Sequence, residues 1–322
     1  MTELVIRKIP WEFDDTVPFL WQPANPNFSM FCNVFTFIAV PFEKYIIAAL
    51  RKAQDHLAQD PEVAAEAEAF LRQEAQHAAA HRKHMQALIA KYPGLEQCYV
   101  DATAAYDDLV EQHPVEFHAA YVANLEATFT PLFKVILDNR ESLFGGGDSR
   151  VASLMAWHFV EEIEHRSSGL ILNNYINPDP WYRVKLIRQT FKHVGATTEA
   201  IGRRIDEVVP YEDRMTSAKE LLSGGLTSRE LKARLRIGRR RKKASAVPSL
   251  FGNVPSADLA KMAWRLLLSQ TPGHDPADQP LPDWADTWMR AYDDGADMRS
   301  FFGTASAGHA PDNDTARLNR PH

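Results

Sequence analysis

The chain has 322 residues, 45% hydrophobic and 24% charged, with a formal net charge of −6 and a pI near 6.1. That length buries a substantial core in one large domain or two modest ones, and the mild acidity gives no reason to expect nucleic acid or an anionic membrane as partner. Two cysteines, Cys32 and Cys98, make no disulfide framework and fit a reducing cytoplasm. The N-terminus carries Glu3, Arg7 and Lys8 without an apolar stretch, so no signal peptide is expected. No window of 18 uncharged apolar residues occurs; the nearest, Phe28 to Phe42, ends at Glu43, and no transmembrane segment is expected.

Residues 1–28 contain Pro and Trp and read as an irregular segment closing on Pro23-Ala24-Asn25-Pro26-Asn27. A first helix is expected from Ser29 to about Gln59, with Pro41 as a kink beside Glu43. Asp60-Pro61-Glu62 offers an N-cap followed by proline at the first helical position, so a second helix should run over 61–91 and stop at Tyr92-Pro93-Gly94. A connecting stretch rich in Asp and Tyr follows. A third helix opens at His113-Pro114-Val115-Glu116 and ends before Gly145-Gly146-Gly147. Asp148-Ser149 caps a fourth, running to about Ile176, and a fifth spans Trp181 to about Val209. No segment alternates like a strand, so the chain reads as all-α, a helical bundle over 29–209 with a helical C-terminal extension over 210–303. Further helices are expected at Ala257–Ser269 and Pro282–Tyr292. Within the extension, residues 229–243 carry nine Lys or Arg, and 304–322 read as a disordered tail.

Two Glu-x-x-His motifs, Glu74-Ala75-Gln76-His77 and Glu162-Ile163-Glu164-His165, lie on the second and fourth of these helices. Each follows a lone glutamate in an apolar setting: Glu43 comes 31 positions before Glu74, and Glu126 comes 36 before Glu162. Residues three apart on a helix project to one side, so each pair can grip one metal or bridge two. The order Glu, Glu-x-x-His, Glu, Glu-x-x-His is that of a four-helix bundle holding two metal ions, and buried carboxylates demand such partners. Solvated helix-face charge, suggested by the neighbouring Glu161 and Glu164, leaves the apolar flanks of Glu43 and Glu126 unexplained. His158 shares a face with Glu162 and His165 and is a candidate seventh ligand. His81, seven positions after Glu74, is expected to orient a ligand through a hydrogen bond. His84 and His118 are expected at the surface or in packing. Carboxylates with imidazoles favour iron over zinc, with manganese as the alternative. Phe31, Phe35, Phe129, Phe133, Met155 and Phe159 lie near these ligands and are candidate substrate-pocket residues, although such apolar stripes also pack cores.

On these residues the chain from 30 to 176 resembles the ferritin-like di-iron carboxylate proteins. His158-x-x-x-Glu162-x-x-His165 resembles the histidine-enriched element of the p-aminobenzoate N-oxygenase type. The block Gln73-Glu74-Ala75-Gln76-His77-x-x-x-His81, with Trp157-His158-x-x-Glu161-Glu162-Ile163-Glu164-His165, is similar to a bacterial family described as predicted metal-dependent hydrolases. The resemblance implies a ferritin-like four-helix bundle in which Glu43, Glu74, His77, Glu126, His158, Glu162 and His165 hold two iron ions. It further implies a non-haem di-iron monooxygenase with dioxygen as co-substrate, oxidising a small amine or aromatic molecule by N-oxygenation or hydroxylation. Electrons would come from an external donor, since no Gly-x-Gly-x-x-Gly and no cysteine cluster occurs. The alternative is a dinuclear hydrolase that activates water. Less favoured are a metal-storage shell, and an anion-binding or reductase-docking arm at 229–243, where a solvated helix face is the simpler reading. A monomer or homodimer is expected rather than a storage cage.

Overall fold

The computed structural model describes residues 4–224 and 247–302, so the basic segment 229–243 and the tail from 304 onward lie outside the described residues. Among those residues all regular structure is helical, as the absence of strand-like alternation implies. Helix α1 (Pro26–Arg51) begins under Asn25, whose side chain accepts from the Phe28 N–H. It continues through Pro41, two residues before Glu43, which removes the helical donor for the Phe37 carbonyl. It ends earlier than expected, and a short α2 (Gln54–Leu57) follows. Helix α3 (Pro61–Lys91) has the expected bounds: the Asp60 carboxylate accepts from the Glu62 and Val63 N–H groups, a cap worth about 1 kcal/mol.

The stretch read as a connection is itself a helix, α4 (Glu96–Gln112). Its buried Cys98, Ala102, Tyr106 and Leu109 recur at helical spacing and face α1 and α9. The expected third helix divides at Asn139 into α5 (Val115–Asp138) and α6 (Arg140–Phe144). The expected fourth also divides. Helix α7 (Ser149–Glu164), capped by Asp148, stops at His165, and α8 (Ser168–Ile176) starts after a short turn. Helix α9 (Pro180–Val208), capped by Asp179, is followed by α10 (Tyr211–Arg214), α11 (Ala218–Gly224), α12 (Ser256–Ser269) and α13 (Asp283–Asp293).

Helices α1, α3, α5 and α7 form a four-membered group: α1 packs on α3 and α5, and α7 packs on the same two. By length and composition α1 could cross a membrane, which the absence of an uncharged run of 18 residues did not suggest; 72% of its most apolar window is buried inside the protein. The segment before α1 is irregular, as expected, but it is not peripheral. Trp11 and Trp21 are buried, the Phe19 carbonyl accepts from Asn33 Nδ2, and the Trp21 carbonyl accepts from the Asp148 N–H. The C-terminal helices join the same core: Phe251, Trp288, Met298 and Phe302 cluster with Phe144 and Trp157.

Candidate metal centre

Four helices bring the expected ligands to one place. Glu43 projects from α1, Glu74 and His77 from α3, Glu126 from α5, His158 and Glu162 from α7, and His165 from the residue that closes α7. None of the seven is more than 2% exposed. Glu43, His77 and His158 form one cluster; Glu74, Glu162 and His165 form a second, the ligand atoms of each lying within 4.8 Å of one another.

Glu162 spans the two. Its Oε1 lies 3.0 Å from His158 Nε2 and 3.5 Å from His77 Nδ1, while Oε2 lies 3.5 Å from His165 Nε2. Glu74 faces both from across the centre, with Oε1 3.3 Å from His165 Nε2 and Oε2 4.0 Å from His77 Nδ1. The other two glutamates flank the pair: Glu126 Oε2 is 3.4 Å from His165 Nε2, and Glu43 Oε1 is 3.8 Å from His158 Nδ1.

Seven buried atoms here have no hydrogen-bonding partner: Glu43 Oε2, Glu74 Oε1, both Glu126 oxygens, Glu162 Oε2, His77 Nδ1 and His165 Nε2. A buried acceptor left so costs about 1–3 kcal/mol, more when charged. The donors are carboxylate oxygens and imidazole nitrogens without a thiolate, since Cys32 and Cys98 pack in separate parts of the core. That set suits a pair of divalent ions, and the residues fit one.

The two Glu-x-x-His histidines are oriented from behind, and one arginine links their supports. His77 Nε2 donates to Glu161 Oε2 at 2.9 Å, so Nε2 keeps its proton and Nδ1 is left for a second proton or a cation. His165 is turned the other way. Its Nδ1 lies 3.0 Å from Gln73 Oε1, while the Gln73 amide nitrogen donates to Glu164 and to the Val5 carbonyl, so His165 offers Nε2. Arg7 donates to Glu161 at 3.0 Å and to both Glu164 oxygens at 2.7 and 2.9 Å.

His81 Nε2 lies 3.0 Å from His158 Nδ1, and Thr36 Oγ1 lies 3.0 Å from both His81 Nδ1 and His84 Nδ1. His84 and His118 are both fully buried, not at the surface, and His118 pairs with the Tyr45 hydroxyl.

Charge is shared unevenly in the cluster. Burial, then the Glu162 charge, push the Glu74 carboxyl up to about 8 and the Glu126 carboxyl up to about 7, and burial drives Glu43 well above the carboxylate range. Burial opposes the charge on Glu162 too, but His165 and His158 outweigh it and hold that carboxyl well below its usual value. Burial likewise opposes charge on His77 and His165, yet the hydrogen bond of His77 to Glu161 with the Glu162 carboxylate close by, and the charge of Glu162 beside His165, hold both well above the imidazole range. Burial and the neighbouring His77 push His158 down to about 4.

A cavity of about 340 Å³ has Glu43, Glu74, His158 and Glu162 as its floor and Phe31, Phe35, Phe129 and Phe133 in its wall. The other two pocket candidates do not line it. Met155 is fully buried in the core, and Phe159 stacks behind Phe133 with ring centroids 4.1 Å apart.

Several contributors went unread in the sequence. Glu161 and Glu164, given no role from their spacing, are an internal pair for Arg7, with side chains 0% and 9% exposed. Gln73 adjoins Glu74 but carries no spacing signal. Gly169 on α8 lies where a Cβ would meet Glu126 Cγ at 2.8 Å, so a side chain there would press on that carboxylate.

Fold and site together define an all-helical protein with a buried carboxylate–histidine cluster able to hold metal. The family described as predicted metal-dependent hydrolase matches residues 5–240, and the chain belongs to that family. No curated protein and no solved structure matches the chain. The family description names the hydrolytic activity expected as the alternative, and it gives no support to the oxidative one.

Proposed function

We propose that Glu43, Glu74, His77, Glu126, His158, Glu162 and His165 hold two iron ions in a ferritin-like centre that oxidises a small substrate with dioxygen. The observation that carries this is a four-carboxylate, three-imidazole cluster forming the floor of an apolar cavity. A reduced iron pair would supply electrons to dioxygen and transfer of an oxygen atom to substrate. The chain's own residues do the rest. Glu74 and Glu162 face both metal positions, Glu126 and Glu43 flank them, and Arg7, through Glu161 and Glu164, fixes which nitrogen each histidine offers. Phe35, Phe129 and Phe133 keep water from the floor, which protects a reactive oxidant from quenching. Manganese fits the same donors, and an external protein or small molecule must return electrons.

Hydrolysis is the second reading, and the family description favours it. A metal pair lowers the pKa of bound water, and beyond the cluster residues on its floor the described cavity wall offers a leaving group only hydroxyls. The two readings separate on one measurement. Protein loaded anaerobically with ferrous iron should take up dioxygen and show a transient visible absorption band. Absence of uptake, together with cleavage of esters or phosphoesters supported by zinc or manganese, would establish the hydrolase instead.

A further inference from the structure

The cavity above the cluster restricts what can occupy it. Beyond the four floor residues, its described wall is hydrocarbon interrupted by three hydroxyls, those of Tyr106, Thr128 and Thr198. Thr128 Oγ1 already donates to the Asn124 carbonyl at 2.9 Å, and Thr198 Oγ1 to the Val194 carbonyl at 2.7 Å. No lysine or arginine borders the cavity among the described residues, and its only carboxylates are on the floor. A charged substituent held against such a wall would lose its hydration and find no partner. The rim is apolar as well, with Phe191 on α9 37% exposed and Leu222 on α11 44% exposed.

We infer that the site takes a hydrocarbon chain of roughly ten carbons that carries its single polar group at the cluster end. The length follows from volume: 340 Å³ holds roughly eleven groups of water size at about 30 Å³ each. This rests on the cluster being the reacting centre, and it departs from the small amine or aromatic substrate that the resemblance implied. An aminobenzoate would place a carboxylate or an amine against phenylalanine.

Binding can be measured apart from any reaction. Zinc does no redox chemistry, and a saturated fatty acid has no bond for a hydrolase to cleave. Calorimetry on the zinc-loaded full chain would therefore compare hexanoic, octanoic, decanoic, dodecanoic and tetradecanoic acids with p-aminobenzoate. One site per chain is expected, with affinity rising about fourfold per methylene and levelling near ten to twelve carbons. p-Aminobenzoate should bind at least 100-fold more weakly than decanoic acid.

Val194 is half-buried and lines the cavity from α9, a helix that carries none of the cluster residues, so Val194→Trp should shorten the space beyond the cluster. That variant should weaken decanoic acid at least tenfold, leave hexanoic acid within twofold, and keep its zinc content. A series without length dependence, more than one acid per chain, or tighter binding of p-aminobenzoate would each overturn the inference. The two proposals fail separately. Acids that bind as described to a protein whose iron form ignores dioxygen leave the chain preference standing and remove oxygenation. Dioxygen uptake without acid binding does the reverse.

Discussion

Loading the centre with metal should raise the melting temperature by an amount the structure sets. Seven buried donor atoms face the centre without hydrogen-bonding partners. At about 1–3 kcal/mol each, their combined cost rivals a typical folding free energy of about 5–15 kcal/mol. The metal-free protein relieves part of this by holding protons on Glu74, Glu126 and the two histidines. Each metal present at a thousandfold excess over its Kd adds about 4 kcal/mol. Two positions therefore add roughly 8 kcal/mol, and at about 2 °C per kcal/mol for a chain this long the expected rise is roughly 15 °C. Differential scanning calorimetry of chelator-stripped and ferrous- or manganese-loaded protein measures it. The double variant Glu74→Leu with Glu162→Leu gives the counterpart: it removes the two carboxylates that face both clusters and should abolish the response. A rise below about 3 °C in the unaltered protein, or an undiminished rise in the double variant, would refute the reasoning.

Three further outcomes follow from named contacts. Gly169→Ala forces a methyl to within 2.8 Å of Glu126 Cγ; overpacking of this kind costs about 1–3 kcal/mol, and the displaced carboxylate should cut metal content below two per chain by elemental analysis. Arg7→Ala removes the partner of both Glu161 and Glu164, which should destabilise by about 3–5 kcal/mol and weaken metal binding about 10–100-fold, with Arg7→Lys restoring only part because the forked contact is lost. Metal uptake should release protons, because Glu74 sits at about 8 and Glu126 at about 7 with His77 and His165 raised as well. Affinity should then rise with pH through the neutral range, and calorimetry in buffers of different ionisation enthalpy should show at least one proton released at pH 7; zero release there would contradict these shifts.

What was legible in the sequence was local. Glu74 with His77, and Glu162 with His165, are neighbours through helix geometry alone, and Glu43 and Glu126 stood out because their flanks are apolar. Helix α3 was readable to the residue because Asp60-Pro61 and Tyr92-Pro93-Gly94 bracket it chemically. Helix α4 was missed although Cys98, Ala102, Tyr106 and Leu109 carry a helical period, because the intervening acids and tyrosines suggested a loop. The break after α7 has neither Gly nor Pro to mark it; the turn at Arg166-Ser167 precedes Ser168, whose hydroxyl donates to Glu66 on α3. Arg7 lies 154 positions from Glu161, a separation no periodicity can register, so the arginine that supports both histidines looked like one charge in an irregular leader.

The centre itself is lopsided. One half gathers two imidazoles and one carboxylate, the other one imidazole and two carboxylates, and His165 presents Nε2 where His77 presents Nδ1. Two positions with unlike donors differ in affinity and in redox potential. A metal titration should therefore show two steps rather than one, and a mixture of metals should sort between the halves instead of filling them at random.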